Sequence, residues 1–293
     1  MKHTPLFTGT ATALVTPFCD GKIDFTHLAR LIEYQIEGGV HTVVLSGTTG
    51  ESATLSHAEK NALFSFAKSE YGNHLTLIAG CGTCDTASSV LLCRMAQAAG
   101  MNGILAVTPY YNKPTAEGLY RHYKAITEAT DLPVIVYQVP GRTGVRLSPD
   151  TWARIAKLPH IAGLKDAGGD IAMTARYLNA AHLPVYSGND DSILPCMSLG
   201  GAGCISVISN LMPAKTQALT DAATEGDIEI AATIQRTILP LVDALFAKTN
   251  PIPVKWALSR LGFCLPTWRL PLAPPGEETK ERIEKEMENM GLL

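Results

Sequence analysis

Eight short runs of β-branched and apolar residues recur along the chain, at 11–18, 41–46, 75–79, 103–108, 133–139, 161–166, 184–187 and 204–209. They start about 20 to 34 residues apart, room for a strand, a turn and a helix. The runs are nearly continuous in apolar character and do not alternate. Strands of a parallel sheet buried on both faces have this composition. Helical signals lie between them. Leu28, Leu31, Ile32 and Ile36 keep one helical face apolar until Gly38-Gly39 stops it. Ser56-His57-Ala58-Glu59 has capping-box spacing, and Asp85-Thr86 open a helix expected to end at Gly100. Ser148-Pro149 sets a cap residue before a proline at the first helical position. Asp170 and Asp190 are expected to cap two further helices, and Pro213 to start the eighth.

Eight strands alternating with eight helices specify an α/β chain folded as a (β/α)8 TIM barrel. A doubly wound open sheet is the alternative, but no G-x-G-x-x-G follows the first strand. Beyond residue 224 only helical patterns remain, at about 226–249, 253–261 and 277–290. Residues 1–224 are therefore read as a catalytic barrel and 225–293 as a C-terminal helical domain. No low-complexity linker separates them.

Composition removes several function classes. Of 293 residues, 46% are hydrophobic and 17% charged, too apolar for a disordered chain. The net charge is −3 without a lysine–arginine stripe, so the footprint of a nucleic-acid binder is missing. No apolar run reaches the ~18 to 20 residues that cross a bilayer; the stretch 237–247 is broken by Pro240 and Asp243. Met1-Lys2-His3-Thr4-Pro5 lacks the apolar core of a signal peptide, and a cytoplasmic location is expected. The seven cysteines, odd in number and irregularly spaced, are read as free thiols. Cys81-Gly82-Thr83-Cys84 has no second pair for zinc, and the eight histidines form no ligand motif, so no metal or cofactor is expected.

Barrel chemistry sits at the C-terminal strand ends. The second run leads into Gly47-Thr48-Thr49-Gly50-Glu51-Ser52. That loop offers hydroxyls and free amides to a small anion, and serves equally as a tight βα turn. The fourth run ends in Tyr110-Tyr111, a hydroxyl pair or a packed aromatic rim. Tyr137 closes the fifth run, and Arg142 follows in a Pro/Gly-shaped loop. The guanidinium can fork onto a carboxylate or pair with a surface acid. The sixth run carries Lys165 among apolar residues. Burial of an ammonium lowers its pKa and yields a free amine that attacks carbonyls. The plainer alternative is a strand-end lysine paired with Asp166 or reaching solvent. Lys255, in Pro253-Val254-Lys255-Trp256-Ala257, is a rival lysine in apolar context but lies off the strand ends. An amine, a phenol, a guanidinium and an anion loop together suit a keto-acid substrate.

Three segments carry a resemblance: Gly47-Thr48-Thr49-Gly50-Glu51, Tyr137 with Pro140-x-Arg142-Thr143-Gly144, and Gly163-Leu164-Lys165-Asp166. Together they resemble the dihydrodipicolinate synthase / N-acetylneuraminate lyase superfamily over nearly the whole chain. The similarity extends to Asn250-Pro251-Ile252-Pro253-Val254-Lys255 and Arg269-Leu270-Pro271-Leu272. The resemblance implies a Schiff base between Lys165 and pyruvate, and condensation with aspartate semialdehyde towards lysine and diaminopimelate. It implies that Tyr137 moves the proton, with Thr48 and a neighbouring subunit's Tyr111 completing a hydroxyl relay. Thr49 would hold the pyruvate carboxylate and Arg142 that of the semialdehyde, while Gly188 and Ile205 line the pocket. A homotetramer built as a dimer of dimers is implied as well. Arg142 favours the synthase over sialic-acid lyases, whose substrate presents a polyol there. A sugar-acid aldolase of the same superfamily and a non-catalytic keto-acid sensor are the alternatives. Gln138 stands where the family mostly has asparagine. The lysine-feedback site of some members resembles Ser52, Ala53 and His57 here. Lys60 and Ser88 replace the histidine and acid expected of sensitive enzymes, so weak or absent lysine inhibition follows.

Overall fold

The computed structural model describes residues 4–293. Residues 1–3, on which the reading of the N-terminus partly rests, lie outside the described residues. The strands are β1 (Gly9–Ala13), β2 (Phe18–Cys19), β3 (Lys22–Ile23), β4 (Thr42–Leu45), β5 (Thr76–Gly80), β6 (Gly103–Val107), β7 (Val134–Gln138), β8 (Ile161–Asp166), β9 (Val185–Ser187) and β10 (Gly203–Ser206). All but β2 and β3 close one parallel barrel in the order β1-β10-β9-β8-β7-β6-β5-β4. The barrel strands fall on the eight expected runs.

Two runs are longer in sequence than in the sheet. Residues 14–17 leave the barrel at Thr16-Pro17, where the proline has no ladder donor, and Phe18 pairs instead with Ile23 in the β2–β3 hairpin. The last run stops at Ser206, because the Val207 and Ile208 amides donate to the Asp190 carboxylate at 3.0 and 2.8 Å.

The helices are α1 (Phe25–Glu37), α2 (His57–Tyr71), α3 (Thr86–Ala98), α4 (Ala116–Thr127), α5 (Pro140–Thr143), α6 (Pro149–Ile155), α7 (Ile171–Ala180), α8 (Ile193–Ser198), α9 (Pro213–Glu225), α10 (Ile228–Leu245), α11 (Ile252–Arg260) and α12 (Glu277–Asn289). Local chemistry starts most of them where expected. Ser56 and Glu59 form a reciprocal capping box on α2. Asp85 caps α3, Ser148 caps α6 and Asp170 caps α7. Asp190 is a correction: it opens a short 3-10 turn with no side-chain cap bond. Its carboxylate instead spans to the end of β10, a non-local role that capping rules do not describe.

Each strand feeds two apolar layers. Alternate residues point inward, so Ala11, Val44, Ile78, Leu105, Ile135, Tyr186 and Ile205 fill the barrel. Their neighbours, such as Val43, Leu77, Ile104 and Val136, pack outward beneath the helices. Each such buried side chain contributes about 1.5–3 kcal/mol. Phe7 stacks on Tyr186 with ring centroids 4.3 Å apart, and the Tyr186 hydroxyl donates to the Phe7 carbonyl at 2.8 Å. That plug closes the N-terminal end and leaves the opposite end for chemistry. After α9, α10 packs on α9, and α12 packs on both α10 and α11. No helix among the described residues is long and apolar enough to cross a membrane. All seven cysteines are free.

Candidate active site

Lys165 points into the barrel from the penultimate position of β8 and is 5% exposed. Its register partner on β7 is Tyr137, and Nζ lies 4.4 Å from the centre of that ring. No ion pair holds its ammonium among the described residues. Burial pushes the amine down to about 8, with Arg142 acting the same way and Asp190 and Cys204 opposing. The plainer alternative fails on strand geometry: Asp166, the next residue, faces the other way. Its carboxylate accepts from Gln138 Nε2, from the Gly168 amide at 2.9 Å and from the Thr174 hydroxyl at 2.7 Å. The unusual Gln138 is thereby employed on the far face of the sheet, away from the amine.

Lys255 is the contrasting case. It is also fully buried, but its Nζ donates to Glu51 Oε1 at 2.6 Å. An ammonium held by a buried carboxylate is not a nucleophile, so geometry separates two lysines that composition could not.

Gly188 follows β9 and touches Lys165. A Cβ there would stand 2.9 Å from Lys165 Cε, 2.8 Å from Ala167 Cβ and 3.0 Å from the Asp166 carbonyl oxygen. Only glycine leaves the amine its place. Ile205 is fully buried on β10, in the inner cluster that also contains Tyr137.

Tyr137 lines a cavity of ≈ 490 Å³ at the C-terminal mouth, together with Thr48 and Arg142. Burial pushes its phenol up, while the Arg142 guanidinium and the Thr48 hydroxyl pull it the other way. The short helix α5 starts at Pro140 and swings Arg142 to the rim. There its Nη2 donates to the Asn250 carbonyl at 2.8 Å. Thr49 is buried, and its hydroxyl accepts from Asn250 Nδ2 at 2.9 Å. That bond occupies a lone pair and leaves the Thr49 proton free to donate elsewhere. Asn250 therefore braces both expected carboxylate grips. It opens the segment Asn250-Pro251-Ile252-Pro253, and nothing in a lone asparagine before a proline signals this work.

Tyr111 is the expected site residue that its own chain does not bring in. It is 92% exposed, with a left-handed φ of 71°. The neighbouring Tyr110 lines the cavity instead. Asp190 went unrecognised as a site neighbour. Burial raises its carboxyl, bonds from the Val207 and Ile208 amides lower it, and its charge acts on Lys165. No cluster of three or more His, Cys, Asp or Glu side chains suited to a metal occurs among the described residues.

The mouth of this barrel thus gathers a depressed amine, a phenol, two threonine hydroxyls and a guanidinium. Known proteins are similar to this chain over nearly its whole length. A 4-hydroxy-tetrahydrodipicolinate synthase from Thermotoga petrophila is 44% identical over 294 residues, covering 98% of this chain and 100% of that protein. The corresponding synthase from Moorella thermoacetica is 45% identical over 285 residues, covering 96% and 98%. The crystal structure of the Thermotoga maritima dihydrodipicolinate synthase superposes with a TM-score of 0.96 at 44% identity, covering 98% and 100%. The chloride-inhibited Acinetobacter baumannii dihydrodipicolinate synthase, solved in complex with pyruvate, superposes with a TM-score of 0.96 at 41% identity, covering 98% and 100%. The family model for the dihydrodipicolinate synthetase family matches residues 6–290, and the chain belongs to that family.

Proposed function

We propose that the chain is a Schiff-base-forming lyase that condenses pyruvate with L-aspartate 4-semialdehyde to 4-hydroxy-tetrahydrodipicolinate, the branch-point step towards diaminopimelate and lysine. One observation carries this reading: a buried amine, free of any ion pair among the described residues and lowered to about 8, lies against a buried phenol. The relative from Acinetobacter baumannii was solved with pyruvate, the ligand such an amine would capture.

The residues then divide the work. The Thr49 hydroxyl and the loop amides hold the pyruvate carboxylate beside Lys165. The Lys165 amine adds to the ketone, and water leaves once Tyr137 has delivered a proton to the departing oxygen. Tyr137, left deprotonated by that transfer, takes a proton from the methyl group of the imine to give the enamine, and this carbon attacks the aldehyde. The aldehyde oxygen takes up a proton through Tyr137 and Thr48. Arg142 holds the semialdehyde carboxylate through a charge-assisted fork, worth roughly 1.5–3 kcal/mol. The substrate's amino group closes the ring by attacking the imine carbon, and Lys165 departs as the free amine. Gly188 and Ile205 shape the pyruvate pocket. No metal or cofactor enters the scheme.

Tyr111 acts in a neighbouring subunit, and its 92% exposure on its own chain supports that placement. A homotetramer in the cytoplasm, with residues 1–224 as the barrel and 225–293 as its helical appendage, completes the proposal. The test is a coupled assay with pyruvate and aspartate semialdehyde, paired with borohydride trapping and mass spectrometry. Turnover and an adduct on Lys165 are expected. An adduct elsewhere, or none, overturns the mechanism. Arg142→Ala is expected to raise the semialdehyde KM far more than the pyruvate KM, and equal effects would remove its assigned role.

A further inference from the structure

The turn from β4 is bracketed by two non-glycine residues in left-handed backbone, Ser46 and Glu51, each with φ near 54°. Such residues persist only where their surroundings hold them, and they gather at working sites. Ser46 is an ordinary buried turn residue. Glu51 carries a charge into the interior, and two partners more than 200 positions away in the chain receive it. Oε1 accepts from Lys255 Nζ at 2.6 Å, with both side chains 0% exposed, and Oε2 accepts from the Arg269 amide at 3.1 Å. Phe18 lies beneath both cations: Lys255 Nζ and Arg269 Cζ each sit 4.3 Å from its ring centre. Arg269 continues to the Glu59 carboxylate and to the Thr54 carbonyl at 3.0 Å.

We propose that the buried Glu51–Lys255 pair is a positioning device that fixes the Thr48-Thr49 turn against Tyr137. The link is short. The Glu51 amide donates to the Thr48 carbonyl at 3.1 Å, and the Gly50 amide to Gly47 at 3.1 Å. A rotation of Glu51 therefore moves Thr48, which lines the same cavity as Tyr137. Stability does not by itself account for the pair, because buried ion pairs are often replaced by apolar groups without loss. What apolar groups cannot supply is a directional hold on a left-handed residue. Lys255 does not line the cavity, and Glu51, which does, has a fully buried side chain whose carboxylate is taken by Lys255 and the Arg269 amide. Both act through the loop.

This inference rests on the Schiff-base reading, so its test separates the two. The wild type, Lys255→Met, Glu51→Gln and the double variant are compared for melting temperature, pyruvate KM and rate of reductive trapping at equal folded fraction. Lys255→Met alone is expected to melt early, because it strands the Glu51 carboxylate. The double variant is expected to regain most of the melting temperature. It should still trap pyruvate about tenfold or more slowly and show a raised pyruvate KM, as displaced catalytic groups do. A double variant that regains stability and also traps at the wild-type rate overturns the proposal. Should it not fold, Glu51→Gln, which keeps an acceptor for Lys255, is read the same way: slower trapping supports the proposal and an unchanged rate refutes it. A wild type that fails to trap pyruvate sinks the Schiff-base reading itself.

Discussion

Burying the Lys165 amine without an ion pair costs the fold stability, and the size of that cost follows from its surroundings. The amine titrates near 8 in the folded protein against an ordinary 10.5. At pH 7 about 9% is then the free amine, against about 0.03% for a solvated lysine, a gain of roughly 300-fold in nucleophile. The same shift makes protonated Lys165 a burden. Below pH 8 the folded state pays for a proton it binds less tightly than the unfolded chain does, by roughly 3 kcal/mol. Between pH 8 and 10.5 the unfolded chain binds more protons than the folded one, so stability rises with pH and the penalty fades. Lys165→Met fills the same space without the charge. It is expected to stabilise the protein by up to about 3 kcal/mol at pH 7, and by almost nothing above pH 10.5. Urea denaturation of both proteins across this range measures the difference. The kinetic counterpart is the pyruvate trapping rate, which should climb with pH and level off just above 8. Asp190→Asn removes a charge that raises the amine and should move that midpoint down. A variant no more stable than wild type at pH 7, or a trapping midpoint above 10, would refute the argument.

Three other substitutions or ligands probe the rest of the mouth. Gly188→Ala pushes a methyl group to within 2.9 Å of Lys165 Cε, and the displaced amine should trap pyruvate on the order of 100-fold more slowly; mass-spectrometric adduct yield against time measures it, and a normal rate would show that the lysine has room to spare. Asn250→Ala removes the side-chain bond to Thr49 but keeps the backbone carbonyl that holds Arg142. The pyruvate KM should therefore rise about tenfold while the semialdehyde KM stays within about threefold; steady-state kinetics with each substrate varied in turn would expose the opposite split. L-Lysine below millimolar concentration should leave the rate unchanged. Lys60, 4% exposed, lines the cavity beside His57 and Ser52, where it opposes a cationic effector; substantial sub-millimolar inhibition would contradict this.

The barrel is legible in the sequence because a strand covered on both faces must be apolar at nearly every position. Ile104 and Leu105 show the reason: they are adjacent in β6, yet one packs under the helices and the other inside the barrel. The helix starts were legible wherever the chemistry is local, as at Ser56 and Asp85. Asp190 shows the limit. An aspartate before an apolar helix reads as a cap, and no short-range signal says that its carboxylate will serve amides 17 and 18 residues later. Lys165 and Lys255 show it again. Each is a lysine among apolar neighbours, and only the tertiary placement of Glu51 reveals which ammonium is already spoken for. Tyr110 and Tyr111 differ by one position, and backbone handedness decides which of them faces the cavity.

The helical appendage is where sequence order and working unit part company. Read along the chain, residues 225–293 follow a finished barrel. In space, three of their side chains or amides complete its second loop: Asn250 on Thr49, Lys255 on Glu51 and the Arg269 amide on the same carboxylate. A loop rich in glycine and hydroxyls is well suited to wrap an anion, but alone it has too few contacts to keep one shape. The Gly50, Glu51 and Ser52 amides are spent inside the turn, which leaves Thr48 and Thr49 to meet the proposed substrate, so further restraint comes from behind, through side chains. A buried carboxylate that meets a lysine and an amide supplies that restraint with direction. The Asn250 side chain supplies it at Thr49 while its carbonyl steadies Arg142 across the mouth. The two carboxylate grips of the proposed reaction are thus set by one short segment, which ties the spacing between the two substrates to the docking of the appendage.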